Sequence, residues 1–258
     1  MHTWHWQIWN DLPYLTCSLL QPWQHGFFTQ QFAPRPPEEL TKVLHPLAQP
    51  YRVQQVHGNT VLTPSEIAAV LPSETDRPAG DGLVTEQTDQ AVWVCTADCT
   101  PVLIADIATG QVAAVHAGWR GTAQKIVPQA IARLQDQGSQ LDNLRIALGP
   151  AIAGEVYQVS EAVAVEVGAS IAPVDPDHLP ESLAYLRQFP NPPVLDDPEP
   201  GRAKLDVRRV NVLQLEQLGL APEQIAIAPH CTYQDASYFF SYRRSREKKA
   251  QWSGIVSF

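Results

Sequence analysis

Three nearly unbroken apolar runs in quick succession, Ala91–Thr96, Pro101–Asp106 and Gln111–His116, constrain the fold of this chain more than any other feature. A strand with one wet face alternates apolar and polar residues. A run without that alternation reads as a strand covered on both faces. The chain must therefore bury a sheet between two layers, and its 258 residues are enough for one large domain to do so. Ala108-Thr109-Gly110 suits a hairpin turn between the last two runs.

Other elements follow from local signals. Leu144–Leu148 and Ile225–Ala228 read as short strands, as does Tyr238–Tyr242. A helix is predicted from about Thr122 to Gln135, with Thr122 as its cap and Ile126, Val127, Ala130, Ile131 and Leu134 as one apolar stripe. Pro128 implies a kink in it or a later start. Glu161–Val167 reads as a helix capped by Ser160. Asp206–Leu218 reads as another, stopped by Gly219. Residues 1–50 read as irregular. Residues 172–203 hold prolines 173, 176, 180, 190, 192, 193, 198 and 200, a density that predicts a long excursion with one helical turn near Leu183–Arg187. Strands cluster in the middle and at the end, and helices are few. This pattern gives an α+β fold in a single domain spanning 1–258.

The runs also place chemistry. Cys99 lies between the first two and His116 ends the third, so a thiolate and an imidazole can meet at one edge of a sheet. That pair can attack an electrophile or hold a metal. His57, followed by Gly58, adds a second imidazole. Two imidazoles and a thiolate suit zinc with a fourth position open. Asp98 is a candidate to orient the imidazole, although regular alternation would turn it away from Cys99. Arg120, just before a predicted helix N-terminus, is a candidate anion ligand. Strand alternation over 239–244 would put Phe239, Ser241 and Arg243 on one face and Arg244 on the other, so one arginine faces the site and one is solvated. His230-Cys231-Thr232 is a second Cys/His cluster, read as supporting rather than ligating.

Several classes are excluded. A formal net charge of −9 does not suit a nucleic-acid surface, which depends on Lys and Arg. No apolar run approaches the roughly 18 residues of a membrane span, and the Trp- and His-rich start is not a signal peptide. A cytoplasmic protein with no membrane or nucleic-acid partner is expected. Cys17, Cys95, Cys99 and Cys231 are too few and too scattered for a disulfide scaffold.

The chain resembles the family long labelled multicopper polyphenol oxidase or laccase-domain protein. Its bacterial members are also called peptidoglycan editing factor, and its mammalian member is a purine nucleoside enzyme. The motifs that carry the resemblance are Gln55-Val56-His57-Gly58, Asp81-Gly82-Leu83-Val84-Thr85, Asp98-Cys99-Thr100-Pro101, His116-Ala117-Gly118-Trp119-Arg120-Gly121, Gly149-Pro150-Ala151-Ile152 with Tyr157, His230-Cys231-Thr232 and Phe239-Phe240-Ser241-Tyr242-Arg243-Arg244. They run in family order over nearly the whole chain. The resemblance implies a layered α/β/β/α fold with mixed sheets, related to putative cysteine hydrolases. It implies a zinc or copper site at His57, Cys99 and His116, and within that site Arg120, Arg243 and Ser241 are the candidate substrate-binding residues. The chain departs from many members near its N-terminus. Phe27-Phe28-Thr29-Gln30-Gln31-Phe32 stands where they carry Thr-Arg-x-Gly-Gly and Ser-Leu-Asn. A C-terminal Thr-Gly-Arg is replaced by Lys248-Lys249-Ala250-Gln251-Trp252-Ser253-Gly254.

The activities implied are phosphorolysis of adenosine, inosine or methylthioadenosine and deamination of adenosine, with a nucleoside and phosphate as small-molecule partners. The alternative is a metal-independent cysteine hydrolase or amidase acting on peptidoglycan precursors, with Cys99 as nucleophile and His116 as base. A non-enzymatic binding role is a further one. A copper oxidase of phenols is disfavoured. The chain has no His-x-His pair, and its single methionine is Met1, so a blue-copper axial ligand is missing.

Overall fold

The computed structural model describes residues 2–70 and 77–258. Two six-stranded mixed sheets stack face to face. The first runs β1 (Trp4–Trp9), β2 (Leu12–Cys17), β3 (His25–Phe28), β15 (Gln251–Val256), β7 (Gln90–Thr96), β4 (Gln49–Tyr51), and only its β4–β7 pair is parallel. The second runs β14 (Ile225–Ile227), β10 (Leu144–Leu148), β8 (Thr100–Asp106), β9 (Val112–Ala117), β6 (Gly82–Val84), β5 (Val61–Leu62), with parallel pairs at both edges. Along β9 the side chains divide as a pleated strand requires. Val112 and Ala114 pack against Phe27, Val92 and Ile255 of the first sheet, while Ala113 and Val115 pack against helix α4 (Ile126–Asp136). Both faces are apolar, which is why the run shows no alternation.

Helices close the sandwich. α1 (Pro37–Leu44) buries Leu40 and Leu44 on the outer face of the first sheet, against Phe28, Trp93 and Val256. α4 and α7 (Val207–Gln217) cover the outer face of the second. The result is a mixed α/β domain with the expected α/β/β/α layering. α2 (Pro64–Val70) lies beyond β5. No helix among the described residues is long and apolar enough to cross a membrane.

Local signals for two helices hold. The Ser160 hydroxyl accepts from Val163 N at 3.3 Å and caps α5 (Glu161–Gly168). Asp206 accepts from Arg209 N at 3.0 Å and caps α7, and Gly219 beyond it has φ +99°. Pro128 marks a later start. α3 (Trp119–Ala123) ends, Lys125 turns to φ +58°, and α4 begins at Ile126. Pro128 then sits in a first turn, where its missing N–H costs nothing. Thr122 therefore lies inside α3 rather than capping a helix, and its hydroxyl accepts from Asn211 Nδ2 at 3.0 Å.

Three expectations are corrected. Residues 1–50 are not irregular; they supply β1–β3 and α1. β1 is an edge strand whose central residues are exposed, so it lacks the one-sided burial that betrays a strand. Tyr238–Tyr242 is not a strand. Tyr238 N and Phe239 N both donate to Asp235 O at 3.1 Å, a turn, and Tyr242 opens the short α8 (Tyr242–Ser245). The segment 172–203 is more than an excursion. α6 (Leu179–Leu186) takes Pro180 in its first turn, and β12 (Val194–Asp196) and β13 (Arg202–Leu205) join β11 (Gln158–Ser160) in a small antiparallel sheet. Leu183, Leu186, Val194 and Ala203 bury against α5 in a separate cluster.

His25 lies buried beside the sheet interface. Its Nδ1–H donates to Trp23 O at 2.9 Å and Nε2 accepts from Cys17 N at 2.9 Å, so the ring is held neutral. Burial pushes its pKa down to about 4. In the unfolded chain the ring titrates near 6.5, so between these values the unfolded state binds more protons. The stability His25 supports is complete above about pH 6.5 and is lost as pH falls through about 4, up to about 3 kcal/mol. A proton NMR titration is expected to place its midpoint near 4; a midpoint above 6 would refute this packing.

Candidate metal and anion site

The β8–β9 register brings two of the three candidate ligands together. Thr100 pairs with Ala117 and Pro101 with His116, so Cys99, just before β8, lies beside the end of β9. His57 arrives on the loop between β4 and β5, in a left-handed conformation with φ +62°. One donor atom from each of His57, Cys99 and His116 lies within 4.8 Å of the others. The two imidazole rings meet edge to face, with centroids 4.7 Å apart. His116 is buried, Cys99 half-buried and His57 exposed, so the cluster opens to solvent on the His57 side.

Asp81 holds this arrangement. It is fully buried. Its Oδ1 accepts from His116 Nδ1 at 2.7 Å and His57 N at 2.9 Å; its Oδ2 accepts from Gly58 N at 2.7 Å and Val56 N at 3.2 Å. One carboxylate thus fixes the His57 loop and the His116 ring, and leaves Nε2 of His116 for the cluster. Gln55 braces the same loop: its amide donates to Cys95 O and accepts from Cys95 N, each at 2.8 Å. Asp81 reads in sequence as a turn former between glycines. The signal that marks it is a carboxylate at the mouth of a buried apolar run, where only several donors make it tolerable.

Burial alone would raise the Cys99 thiol. The charge of His116, with hydrogen bonds from His116 and His57, outweighs burial and brings it down to about 6. Burial would lower His116, but the Cys99 thiolate and the Asp81 carboxylate lift it to about 9. In the metal-free cluster these opposite shifts favour a thiolate beside a protonated imidazole; a bound metal ion would take the place of that proton. Cys95, in contrast, is pushed up to about 11 by burial and stays an unreactive thiol.

The donor set fits a metal ion. A thiolate and two imidazoles converge, and a buried carboxylate sits behind one of them. The wall opposite is made of glycine. A Cβ on Gly118 would lie 2.9 Å from Cys99 Sγ and 3.4 Å from His57 Cδ2, and one on Gly121 would lie 2.8 Å from Gly58 O. The Gly118-Trp119-Arg120-Gly121 turn thus leaves room that any larger residue would fill. Among the described residues this is the one His/Cys/Asp/Glu group with such geometry. His230 is instead paired with Asp235 at 3.0 Å, and Cys231 Sγ accepts from Ala153 N at 3.3 Å, a supporting role as expected.

The arginines sort differently from the strand-based expectation, because 242–245 is helical. Arg243 and Arg244 are both half-buried. Arg244 is spent on carbonyls of Thr232, Tyr233 and Phe239 at 2.6–2.8 Å. Ser241 is buried and its hydroxyl accepts from Arg244 N, which caps α8. Arg243 lies with Cζ 4.7 Å from the Tyr157 ring centre, and Arg120 with Cζ 4.3 Å from that of Trp119. Among the described residues neither guanidinium forms an ion pair. Tyr157 feels the charges of Cys99 and of both arginines. Burial, then the Cys99 charge, push its hydroxyl up to about 12, and Arg243 and Arg120 pull the other way. Asp98 does not orient the imidazole; Asp81 does, and Asp98 turns to Thr232 and Arg243.

The comparisons with known proteins fit this geometry. A protein of Synechocystis named purine nucleoside phosphorylase is 53% identical over 257 residues, covering 99% of this chain and 97% of that protein. A protein from an unknown prokaryote named adenosine deaminase is 30% identical over 64% of this chain and 56% of its own length. The crystal structure of the Bacillus licheniformis hypothetical protein YfiH superposes with a TM-score of 0.76 at 23% identity, over 98% of this chain and 99% of that one, which establishes the fold. Residues 38–257 match the family model described as multi-copper polyphenol oxidoreductase laccase, and with a full-length relative above half identity, the chain belongs to that family.

Proposed function

We propose that this chain is a metal-dependent purine nucleoside phosphorylase with zinc as its ion. The observation that carries the reading is the juxtaposition of an open His₂Cys cluster with two arginines whose guanidinium groups form no ion pair among the described residues, in a chain of net charge −9. Such cations in an acidic protein suit a small anion. The full-length relative named purine nucleoside phosphorylase supports phosphate as that anion. In phosphorolysis the bond from C1′ to the purine nitrogen breaks, a phosphate oxygen bonds to C1′, and the base takes up a proton. Arg120 and Arg243 bind and orient the phosphate. The neutral Tyr157 phenol offers a donor beside them, and Trp119, stacked under Arg120, offers an aromatic wall.

His57, Cys99 and His116 would hold the ion. Bound there, zinc supplies a Lewis acid with one position open to water, whose pKa it brings near 7. Copper fits less well. A blue-copper site wants an axial methionine, and the only methionine is Met1. A second reading, hydrolytic deamination of adenosine to inosine and ammonia, is favoured by the relative named adenosine deaminase. It would use the same ion and no phosphate.

The test is to incubate the zinc-loaded protein with inosine and with adenosine, with and without phosphate, and to identify products by chromatography. Free base and ribose 1-phosphate are expected only with phosphate. Inosine formed from adenosine without phosphate would establish the second activity. No product in any arm, or turnover unchanged after chelation of the metal, would sink the proposal, and the latter would favour Cys99 as a nucleophile.

A further inference from the structure

The turn that carries Cys99 contains a second buried carboxylate, and its partners lie outside the metal cluster. Asp98 is only 8% exposed and has φ +89°, a conformation uncommon for any residue but glycine. Such a residue persists where its surroundings over-determine it. Here Oδ1 accepts from the buried Thr232 hydroxyl at 2.8 Å, Oδ2 accepts from Arg243 N at 2.7 Å, and the Asp98 carbonyl accepts from Ile152 N at 3.0 Å. Three segments remote in sequence are tied to the residue that precedes Cys99.

The bond to Arg243 is the consequential one. The Asp98 carboxylate pins the backbone of Arg243. The guanidinium at its far end is pinned by Nη1 donating to Gln158 O at 2.7 Å and by the Tyr157 ring. With both ends fixed, Arg243 cannot drift relative to Cys99. Arg120 has no such support; it is exposed and leans on Trp119. The two buried aspartates divide the work. Asp81 orders the imidazole side of the site, and Asp98 joins the thiolate turn to a guanidinium.

We propose that Asp98 is a positioning residue that registers the Arg243 guanidinium on the Cys99 turn, making Arg243 the principal phosphate ligand of this site. The inference rests on the phosphorylase reading for the identity of the anion. Its physical basis is that a fixed guanidinium meets a phosphate with two parallel hydrogen bonds, and small displacements of such a group cost binding steeply. Asp98→Asn is the informative substitution. Asparagine tolerates positive φ, so the turn keeps its shape, while one of the two acceptor oxygens is lost.

The test uses the full chain loaded with zinc and inorganic phosphate as the probe, read by calorimetry, with zinc content by elemental analysis and kinetics on inosine. Asp98→Asn is expected to weaken phosphate binding about tenfold and to raise the KM for phosphate in parallel, with zinc content and kcat within about twofold of wild type. Arg243→Lys is expected to weaken phosphate at least as much, and the double variant no more than Arg243→Lys alone, because Asp98 acts through Arg243. Additive losses, unchanged phosphate binding in Asp98→Asn, loss of zinc, or no phosphate binding by the wild type would each overturn the proposal. If Asp98→Asn does not fold, Thr232→Val serves in the same cycle. It frees the other carboxylate oxygen, and a loss of about threefold, absent when Arg243 is already Lys, is expected. A wild type that binds phosphate yet cleaves no nucleoside would refute the phosphorylase reading and leave the Asp98–Arg243 coupling intact.

Discussion

Asp81→Asn is expected to lower zinc affinity by about 10- to 100-fold and nucleoside turnover by at least as much, in a chain that still folds. The carboxylate receives four hydrogen bonds, one from His116 Nδ1 and three from the backbone N–H groups of Val56, His57 and Gly58. Burial alone would raise its pKa, but the His116 partner and these backbone donors hold it below the usual carboxylate range. Asparagine keeps one acceptor and turns an NH₂ group toward donors that then have nothing to bond. Each buried donor left so costs about 1–3 kcal/mol. The His57 loop and the His116 ring would relax to avoid that cost, and the ligands would lose their common focus. Zinc competition with a chromogenic chelator, a thermal melt and kinetics on inosine separate the effects. Zinc affinity within twofold of wild type would show that Asp81 does not order the ligands.

Cys99→Ala is expected to abolish turnover, by about 10³-fold or more, and to leave zinc bound weakly or not at all. The substitution removes the only anionic donor of the cluster. No other described cysteine can replace it, since Cys95 is a neutral thiol and Cys17 and Cys231 are buried. Metal content measured beside turnover is decisive. Alanine at 99 with full zinc and no activity would assign Cys99 as a nucleophile rather than a ligand. Full zinc with full activity would remove it from the site altogether.

Much of the core was legible because its physics is local. β8, β9 and β10 sit within a residue of their apolar runs, and Ser160 and Asp206 cap the helices their chemistry suits. The misses have physical causes. β1 is an exposed edge strand, so its pattern carries no burial signal. Tyr238–Tyr242 has the aromatic composition of a strand, but the Asp235 turn and the Ser241 cap decide its path, and both depend on what surrounds them. The prolines of 172–203 suggest a surface loop; they sit between or at the starts of elements, where a missing N–H is harmless.

Residue order alone was enough to predict a sheet buried on both sides and to allow a cysteine and a histidine to meet at its edge. Apolar runs and the pairing of adjacent strands need no distant partner. What surrounds that pair was set by the packing of distant segments. That packing brought His57 in on a left-handed loop, set Asp81 behind the His116 imidazole and the backbone of the His57 loop, left a glycine wall beside Cys99, and spent Arg244 on backbone carbonyls, while the Arg243 and Arg120 guanidinium groups form no ion pair among the described residues. Those outcomes are matters of distance and hydrogen-bond competition between segments far apart in the chain, which residue order alone does not encode.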